Sequence, residues 1–412
     1  MKIYIISLGC PKNLTDTEVL MGKLVSAGHQ ITTKEKEADI FIVNTCAFLK
    51  SARKESIDTI KRLQRTGKPV YTAGCLPEYL KKVPKAHHNL TLDIGHLSLK
   101  LNTIDSINLF SYKIPRIKAT PPWTAYVKIA EGCDNRCSYC LIPRIRGRLR
   151  IRKKEDILKE VRLLAKRGVK EIIFVAQDTT AHPQLAQILK QTAKVDGIHW
   201  IRIMYAHPEH LTDKIIKVIK TEPKIVKYID LPIQHINDKI LRLMNRSGMT
   251  GQDIKKLLSK LRREIPGITI RTSLIAGFPQ ETESDFEELL NFIKEVKFER
   301  LGVFRYSKED GTPASNMRGQ VPEKVKSYRF HKLMSQQNKI SRELNKKMAG
   351  KIIEVLYEGR GRGRAAFDAP EIDGSVIISP PKAGKYLSPG EFVRSRITSS
   401  RDYVLTGRVL TT

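Results

Sequence analysis

Residues 131–150 read EGCDNRCSYCLIPRIRGRLR, with Cys133, Cys137 and Cys140 in a C-x3-C-x2-C array directly behind the apolar run Ala125–Ala130. Three thiolates so closely spaced face one metal centre, but they fall short of the four ligands of a structural zinc site or a four-cysteine iron–sulfur cluster. An iron–sulfur cube held by three cysteines keeps one iron open, and an open position is where a substrate binds and chemistry begins. A zinc knuckle completed by a distant fourth ligand is the alternative reading. Behind the loop, Arg144, Arg146, Arg148, Arg150, Arg152, Lys153 and Lys154 form the chain's one local concentration of positive charge. That run reads either as a solvated basic face or as a patch orienting an anionic group beside the metal centre.

Toward the N-terminus, three segments share one grammar. Lys2–Leu8 runs into Gly9-Cys10, Ile40–Val43 into Asn44-Thr45-Cys46, and Val70–Ala73 into Gly74-Cys75. Each is a short apolar, β-branched strand followed by a small or polar residue and a cysteine. Helical patterns such as Val19, Leu20 and Leu24 fill the gaps, and cysteine separations of 36 and 29 residues match single βαβ units. In a parallel sheet the carboxyl ends of all strands share one edge, so Cys10, Cys46 and Cys75 are expected to converge there as a second three-thiolate site.

Toward the C-terminus, Pro115, Pro121 and Pro122 mark a linker. Strand patterns at 125–130, 171–176, 200–205, 227–231, 268–276 and 301–306 then alternate with helical ones, including the stripes Ile254, Leu257, Leu258, Leu261 and Phe286, Leu289, Leu290, Ile293. Thr282 and Asp285 suit a capping box. Six β/α units predict an open (β/α)6 barrel with its chemistry at the strand carboxyl ends, where Gln177, Asp178, His207, Gln234, His235 and Gly277 fall. Residues 322–347 read as a long polar helix. Five short strand patterns after it, separated by Gly, Pro and Asp, predict a small antiparallel five-stranded β-barrel of oligonucleotide-binding type. Its aromatics, Tyr357, Phe367, Tyr386, Phe392 and Tyr403, form no obvious stacking row, so RNA readout is not demanded. The fold class is therefore α/β in three parts: a parallel-sheet domain over 1–112, the open barrel over 120–345, and the small barrel over 346–412.

The composition sets limits on this reading. With 412 residues, 41% hydrophobic and 28% charged, the chain reads as globular, and no run of about 18 apolar residues suggests a membrane span. The start, MKIYIISLGCPKN, is too short for a signal peptide, so a cytoplasmic location is expected, with the six cysteines in metal or catalytic use. A net charge of +31 favours polyanionic partners, above all ribosome or RNA. That charge is spread: residues 346–412, with 12 basic and 7 acidic side chains, are about as basic as the remainder.

Tyr139, just before the last cysteine of the loop, completes a spacing that resembles the signature of the radical S-adenosylmethionine (SAM) enzymes. The two cysteine triads, the barrel and the small terminal domain together resemble the methylthiotransferase family of those enzymes, over the whole chain, with a TRAM-like tail. Within it, SLGCPKNLTDTE (7–18), RGRLR (146–150) and FDAPEIDG (367–374) resemble the branch that modifies an aspartate of small-subunit ribosomal protein twelve at its β-carbon. Thr15, Thr17 and Ile151 stand where that branch usually has Val, Ser and Ser. The resemblance implies a [4Fe–4S] cluster on Cys133, Cys137 and Cys140 whose open iron chelates SAM and generates a deoxyadenosyl radical. It also implies a second [4Fe–4S] cluster on Cys10, Cys46 and Cys75 holding the sulfur to be methylated by a second SAM and inserted. Tyr139, Gln177, Asp178, Gln234 and Gly277 are the expected SAM contacts, and no protein side chain is assigned as a catalytic acid or base. Expected partners are the ribosomal protein, on the small subunit with possible rRNA contact, and an electron donor, with no membrane. Two alternatives remain: a tRNA adenosine methylthiotransferase, which the net charge favours, and a non-catalytic iron–sulfur RNA-binding or electron-carrying protein, which two three-cysteine sets disfavour.

Overall fold

The computed structural model describes residues 1–82, 112–113, 115–379 and 386–410; positions 83–111 of the expected N-terminal domain lie outside the described residues. Four strands, β1 (Lys2–Ser7), β2 (Gln30–Thr32), β3 (Ile40–Thr45) and β4 (Val70–Gly74), form a parallel sheet in the order β2-β1-β3-β4. Every residue of β3 is buried, as expected of a strand covered on both faces. Its period of two divides the core. Ile40 and Ile42 pack with Leu20 and Leu24 of helix α1 (Pro11–Ser26). Phe41 and Val43 pack with Ile60 and Leu63 of α2 (Lys50–Gln64) and with Leu76 and Leu80 of α3 (Cys75–Lys82). Each such side chain contributes about 1.5–3 kcal/mol by leaving water. The edge strand β2 escaped the sequence reading because three residues carry no periodicity.

The expected strand at 125–130 is two pieces, β5 (Thr124–Lys128) and β6 (Ala130–Glu131). The second piece pairs antiparallel with β7 (Arg150–Ile151), Ala130 opposite Ile151 and Glu131 opposite Arg150, and this short ladder closes the cysteine loop at its base. The remaining strands are β8 (Glu171–Val175), β9 (Trp200–Ile203), β10 (Tyr228–Asp230), β11 (Thr269–Ala276) and β12 (Arg300–Arg305). Together with β5 they make two three-stranded sheets, β5-β8-β9 and β10-β11-β12. Thr250 and Thr282 open their helices, Gly251–Glu264 and Glu283–Val296, with complete capping boxes.

The chain separates into two compact units, residues 1–167, 173–184 and 307–317 against 168–172, 185–306 and 318–412. In the second, helix Glu323–Lys346 buries a mainly polar stripe, Lys326, Arg329, Leu333, Gln337, Ile340, Ser341 and Asn345. Its polar members are partnered: Gln337 Nε2 donates to Phe298 O at 2.9 Å and Asn345 Nδ2 to Asp402 O at 2.9 Å. The tail strands β13 (Ile352–Gly359), β14 (Arg362–Ala365), β15 (Ser375–Ser379), β16 (Phe392–Ser400) and β17 (Val404–Val409) close a barrel in the order β13-β14-β15-β17-β16. One pairing, β15 with β17, is parallel; the others are antiparallel. Alternate positions fill its interior with Val355, Val376, Ile378, Val393, Ile397 and Leu405.

Candidate functional site

All six cysteines belong to the first unit. Cys10, Cys46 and Cys75 follow the ends of the adjacent strands β1, β3 and β4, whose register sets Ser7 opposite Asn44 and Thr45 opposite Gly74. Gly9, at φ +90°, lies so close that a Cβ there would stand 2.9 Å from the Cys46 sulfur. Cys10 is also the N-cap of α1, where Pro11 fits because the first helical N–H is unbonded anyway. Burial opposes ionisation of Cys10, yet the charges of Lys12 and Arg146 and the backbone N–H groups of Asn13 and Lys12 outweigh it and lower its pKa. Cys46 is pushed up to about 11, by burial first and by the neighbouring Cys75 and Cys10 as well. Three sulfur donors that repel one another as thiolates are what a shared cationic centre would relieve.

Cys133, Cys137 and Cys140 sit in the loop closed by β6 and β7. Cys133 N donates to Gly147 O at 3.1 Å, Cys140 N to Cys137 O at 3.0 Å, and Ile142 N to the Cys140 sulfur at 3.4 Å. Leu141 and Ile145 anchor the following turn in the core shared with Leu76 and Leu80. Burial pushes the Cys133 thiol up to about 11, with Asp178, Cys137 and Asp134 adding negative charge. This second sulfur-only set likewise fits an iron–sulfur group.

The basic run divides: Arg144, Arg148, Arg150 and Lys153 are exposed, while two of its arginines turn inward. Arg148 is 90% exposed, whereas Arg146 and Arg152 are buried. Arg152 pairs with Glu160. The Arg146 guanidinium donates to Asp16 Oδ2 at 2.8 Å, Asn13 Oδ1 at 2.9 Å, Glu131 Oε1 at 3.3 Å and the Cys75 sulfur at 3.3 Å. Lys128 Nζ binds the same two carboxylates, Asp16 and Glu131. Burial opposes the charge on Glu131, but Lys128 and Arg146 hold its carboxyl down at about 2. Two cations and two anions thus balance in a buried site, the condition under which buried charge is tolerable. Sequence reading missed Asn13, Asp16, Lys128 and Glu131. The available signals were the stretch 7–18, quoted without a role for Asn13 or Asp16, and a lysine inside the otherwise apolar run 125–130 with a glutamate directly after it.

The expected SAM contacts divide between the units. In the first, Gln177 Nε2 donates to Glu131 Oε1 at 2.7 Å while its Oε1 is buried with no hydrogen-bond partner among the described residues. That orphaned acceptor suits the amino group of a bound ligand. Asp178 is already engaged: one oxygen caps Thr179–Ala181 and the other accepts from Asn135 Nδ2 at 2.8 Å. Tyr139 is half-buried in the cysteine loop. In the second unit, Gln234 adopts φ 69° and bridges Leu274 of β11 through its backbone. Gly277, just past β11, donates its N–H to Glu281 Oε2 at 2.9 Å. There burial pushes Glu281 up to about 7 against the pull of Arg329, and drives His235 down to about 3.

The FDAPEIDG stretch also resolves into buried polar contacts inside the second unit, among them an ion pair and a hydrogen bond from a phenol. Arg300 Nε donates to Asp368 Oδ1 at 2.8 Å, and Tyr228 Oη to Asp373 Oδ2 at 2.7 Å. Glu171 meets Arg202 and Arg364 with all three side chains buried. Phe392 stacks on His199 at 3.9 Å and meets Trp200 edge-on at 4.8 Å, so this aromatic packs the small barrel against β9.

Three family models match the chain: the Radical SAM superfamily over residues 127–293, the Uncharacterized protein family UPF0004 over 2–94, and the TRAM domain over 349–410. The chain is 44% identical to the ribosomal protein uS12 methylthiotransferase RimO of Pelotomaculum thermopropionicum, covering 100% of this chain and 99% of that protein. It is 43% identical to the protein of the same name from Geobacter sulfurreducens, covering 99% and 98%. Among solved structures, the radical SAM methyltransferase TsrM of Kitasatospora setae, with cobalamin and a [4Fe-4S] cluster bound, matches with a TM-score of 0.55 at 13% identity. That match covers 90% of this chain and 81% of TsrM, a likeness of fold alone. Among the described residues no helix is long and apolar enough to cross a membrane. Matched end to end at this identity, the chain belongs to the radical SAM family of ribosomal protein uS12 methylthiotransferases.

Proposed function

We propose that Cys133, Cys137 and Cys140 hold one [4Fe–4S] cluster, that Cys10, Cys46 and Cys75 hold a second, and that with SAM the chain inserts a methylthio group at the β-carbon of an aspartate in uS12. The observation that carries this reading is the pair of sulfur-only triads within one unit, each with three donors and so each leaving an iron position open. When bound, the clusters and SAM supply radical chemistry that no protein acid or base can perform, together with the sulfur and methyl to be transferred. The chain's own residues position and enclose. The β6–β7 ladder holds the loop cysteines, the parallel-sheet edge gathers the other three, and Gln177 offers its buried Oε1 to the SAM amino group, with Tyr139 of the same unit as a further contact. The net charge of +31 serves docking on rRNA phosphates of the assembled small subunit, so binding falls steeply with salt. A cytoplasmic location, an external electron donor and a three-domain division at 1–112, 120–345 and 346–412 complete the proposal.

The test is the triple variant C10A/C46A/C75A, reconstituted anaerobically. It should retain one cluster's iron per chain and the reductive cleavage of SAM, and lose sulfur insertion. Sulfur insertion by the triple variant would overturn the two-cluster assignment.

A further inference from the structure

The Arg146 side chain leaves the loop of Cys133, Cys137 and Cys140 and ends on the sulfur of Cys75, in the other triad. The side chain is 2% exposed; Nη2 is shared between the Cys75 sulfur and Asn13 Oδ1, and Nη1 donates to Asp16 and Glu131. Asn13 is itself fixed, donating to Leu8 O at 2.6 Å and Thr45 O at 3.2 Å, so the fork has little freedom. Glu131 in turn holds Lys128 and Gln177. A continuous chain of polar contacts therefore runs from Cys75 through Arg146 and Glu131 to Gln177, all inside one unit.

We infer that Arg146 is the positioning residue that tunes the second cluster, its fixed N–H and positive charge on the Cys75 sulfur favouring the cluster's reduced form. A cluster gains negative charge on reduction, and a hydrogen bond from a cation to a ligating sulfur stabilises that charge in a low-dielectric site. Arg rather than Lys fits the position because a planar fork can serve Asp16, Asn13 and a sulfur at once, whereas an ammonium is a point charge on a flexible stem. The same contact explains why an arginine of the cysteine loop segment is buried instead of solvated. This inference rests on the two-cluster reading above.

The experiment is an anaerobic redox titration of the reconstituted full chain, followed by electron paramagnetic resonance, for wild type, R146K and R146Q. The midpoint of the Cys10/Cys46/Cys75 cluster should move to more negative potential in R146Q and lie between the two in R146K, while the other cluster keeps its midpoint. R146K, which retains the balancing charge, keeps the test alive where R146Q fails to fold. Equal midpoints in wild type and the folded variants would overturn the inference, as would an equal shift of both clusters. Failure of the underlying reading looks different: wild-type protein would then bind only one cluster's iron per chain.

Discussion

Replacing Glu131 with Gln removes one anion from a buried set of two cations and two anions while leaving shape nearly unchanged. Lys128 and Arg146 then share Asp16 alone, an excess of one buried positive charge. Two routes give the magnitude. The native fold lowers the Glu131 carboxyl from 4.5 to about 2, and at roughly 1.4 kcal/mol per tenfold change in proton affinity this is about 3 kcal/mol at neutral pH. Breaking a buried ion pair by removing one partner independently costs about 3–5 kcal/mol. For a unit of this size the melting temperature should fall by roughly 6–12 °C. The pH dependence has a definite sign. A carboxyl whose folded pKa is depressed stabilises the fold above its unfolded value and loses that contribution as pH falls toward about 2. The gap between wild type and E131Q should therefore be full at pH 7 and shrink below about pH 4.5. The chain has two tryptophans, Trp123 and Trp200. In a W200F background, fluorescence of Trp123 reports unfolding of the first unit. K128M/E131Q should be more stable than E131Q, because removing Lys128 restores the balance between Arg146 and Asp16. A loss below about 1 kcal/mol, or a double variant worse than the single one, would refute the argument.

In the second unit, E171Q should strip Arg202 and Arg364 of their shared carboxylate at a cost of about 3–5 kcal/mol; tail cleavage in limited proteolysis should accelerate, and an unchanged rate would contradict this. G277A places a Cβ 2.3 Å from Lys326 Cγ at φ +74°, so a loss of about 1–3 kcal/mol is expected in urea denaturation, and an unshifted midpoint would count against it. Glu281 behaves oppositely to Glu131: its folded value of about 7 lies above the unfolded 4.5, so its contribution is full below 4.5 and fades as pH rises toward 7. E281Q should flatten that decline in urea titrations from pH 5 to 8, and an unaltered slope would show the carboxyl is ionised throughout.

The parallel sheet, the alternation of strands and helices and the closed tail barrel were legible because β-branched runs and 3.6-residue stripes are local signals. The convergence of Cys10, Cys46 and Cys75 was legible too, since parallel topology alone aligns strand ends. The β6–β7 ladder was not, because two residues a side carry no period and the pairing spans the cysteine loop. Nor was the fate of the arginine run. Arg146 and Arg148 differ by two positions and by whether a carboxylate from α1 lies within reach, which only tertiary structure decides. The same holds for FDAPEIDG, whose aspartates look like a solvated turn until Arg300 and Tyr228 are seen beside them.

The most direct test of the account is a choice of substrate. The reconstituted chain, with SAM, sulfide and a reductant, is offered small ribosomal subunits, a peptide carrying the aspartate loop of uS12, and bulk tRNA, and each is analysed by mass spectrometry. A methylthio group on the aspartate, with none on tRNA, is the predicted result. Label on tRNA adenosine and none on the protein would contradict it and make the +31 charge the better guide to the substrate.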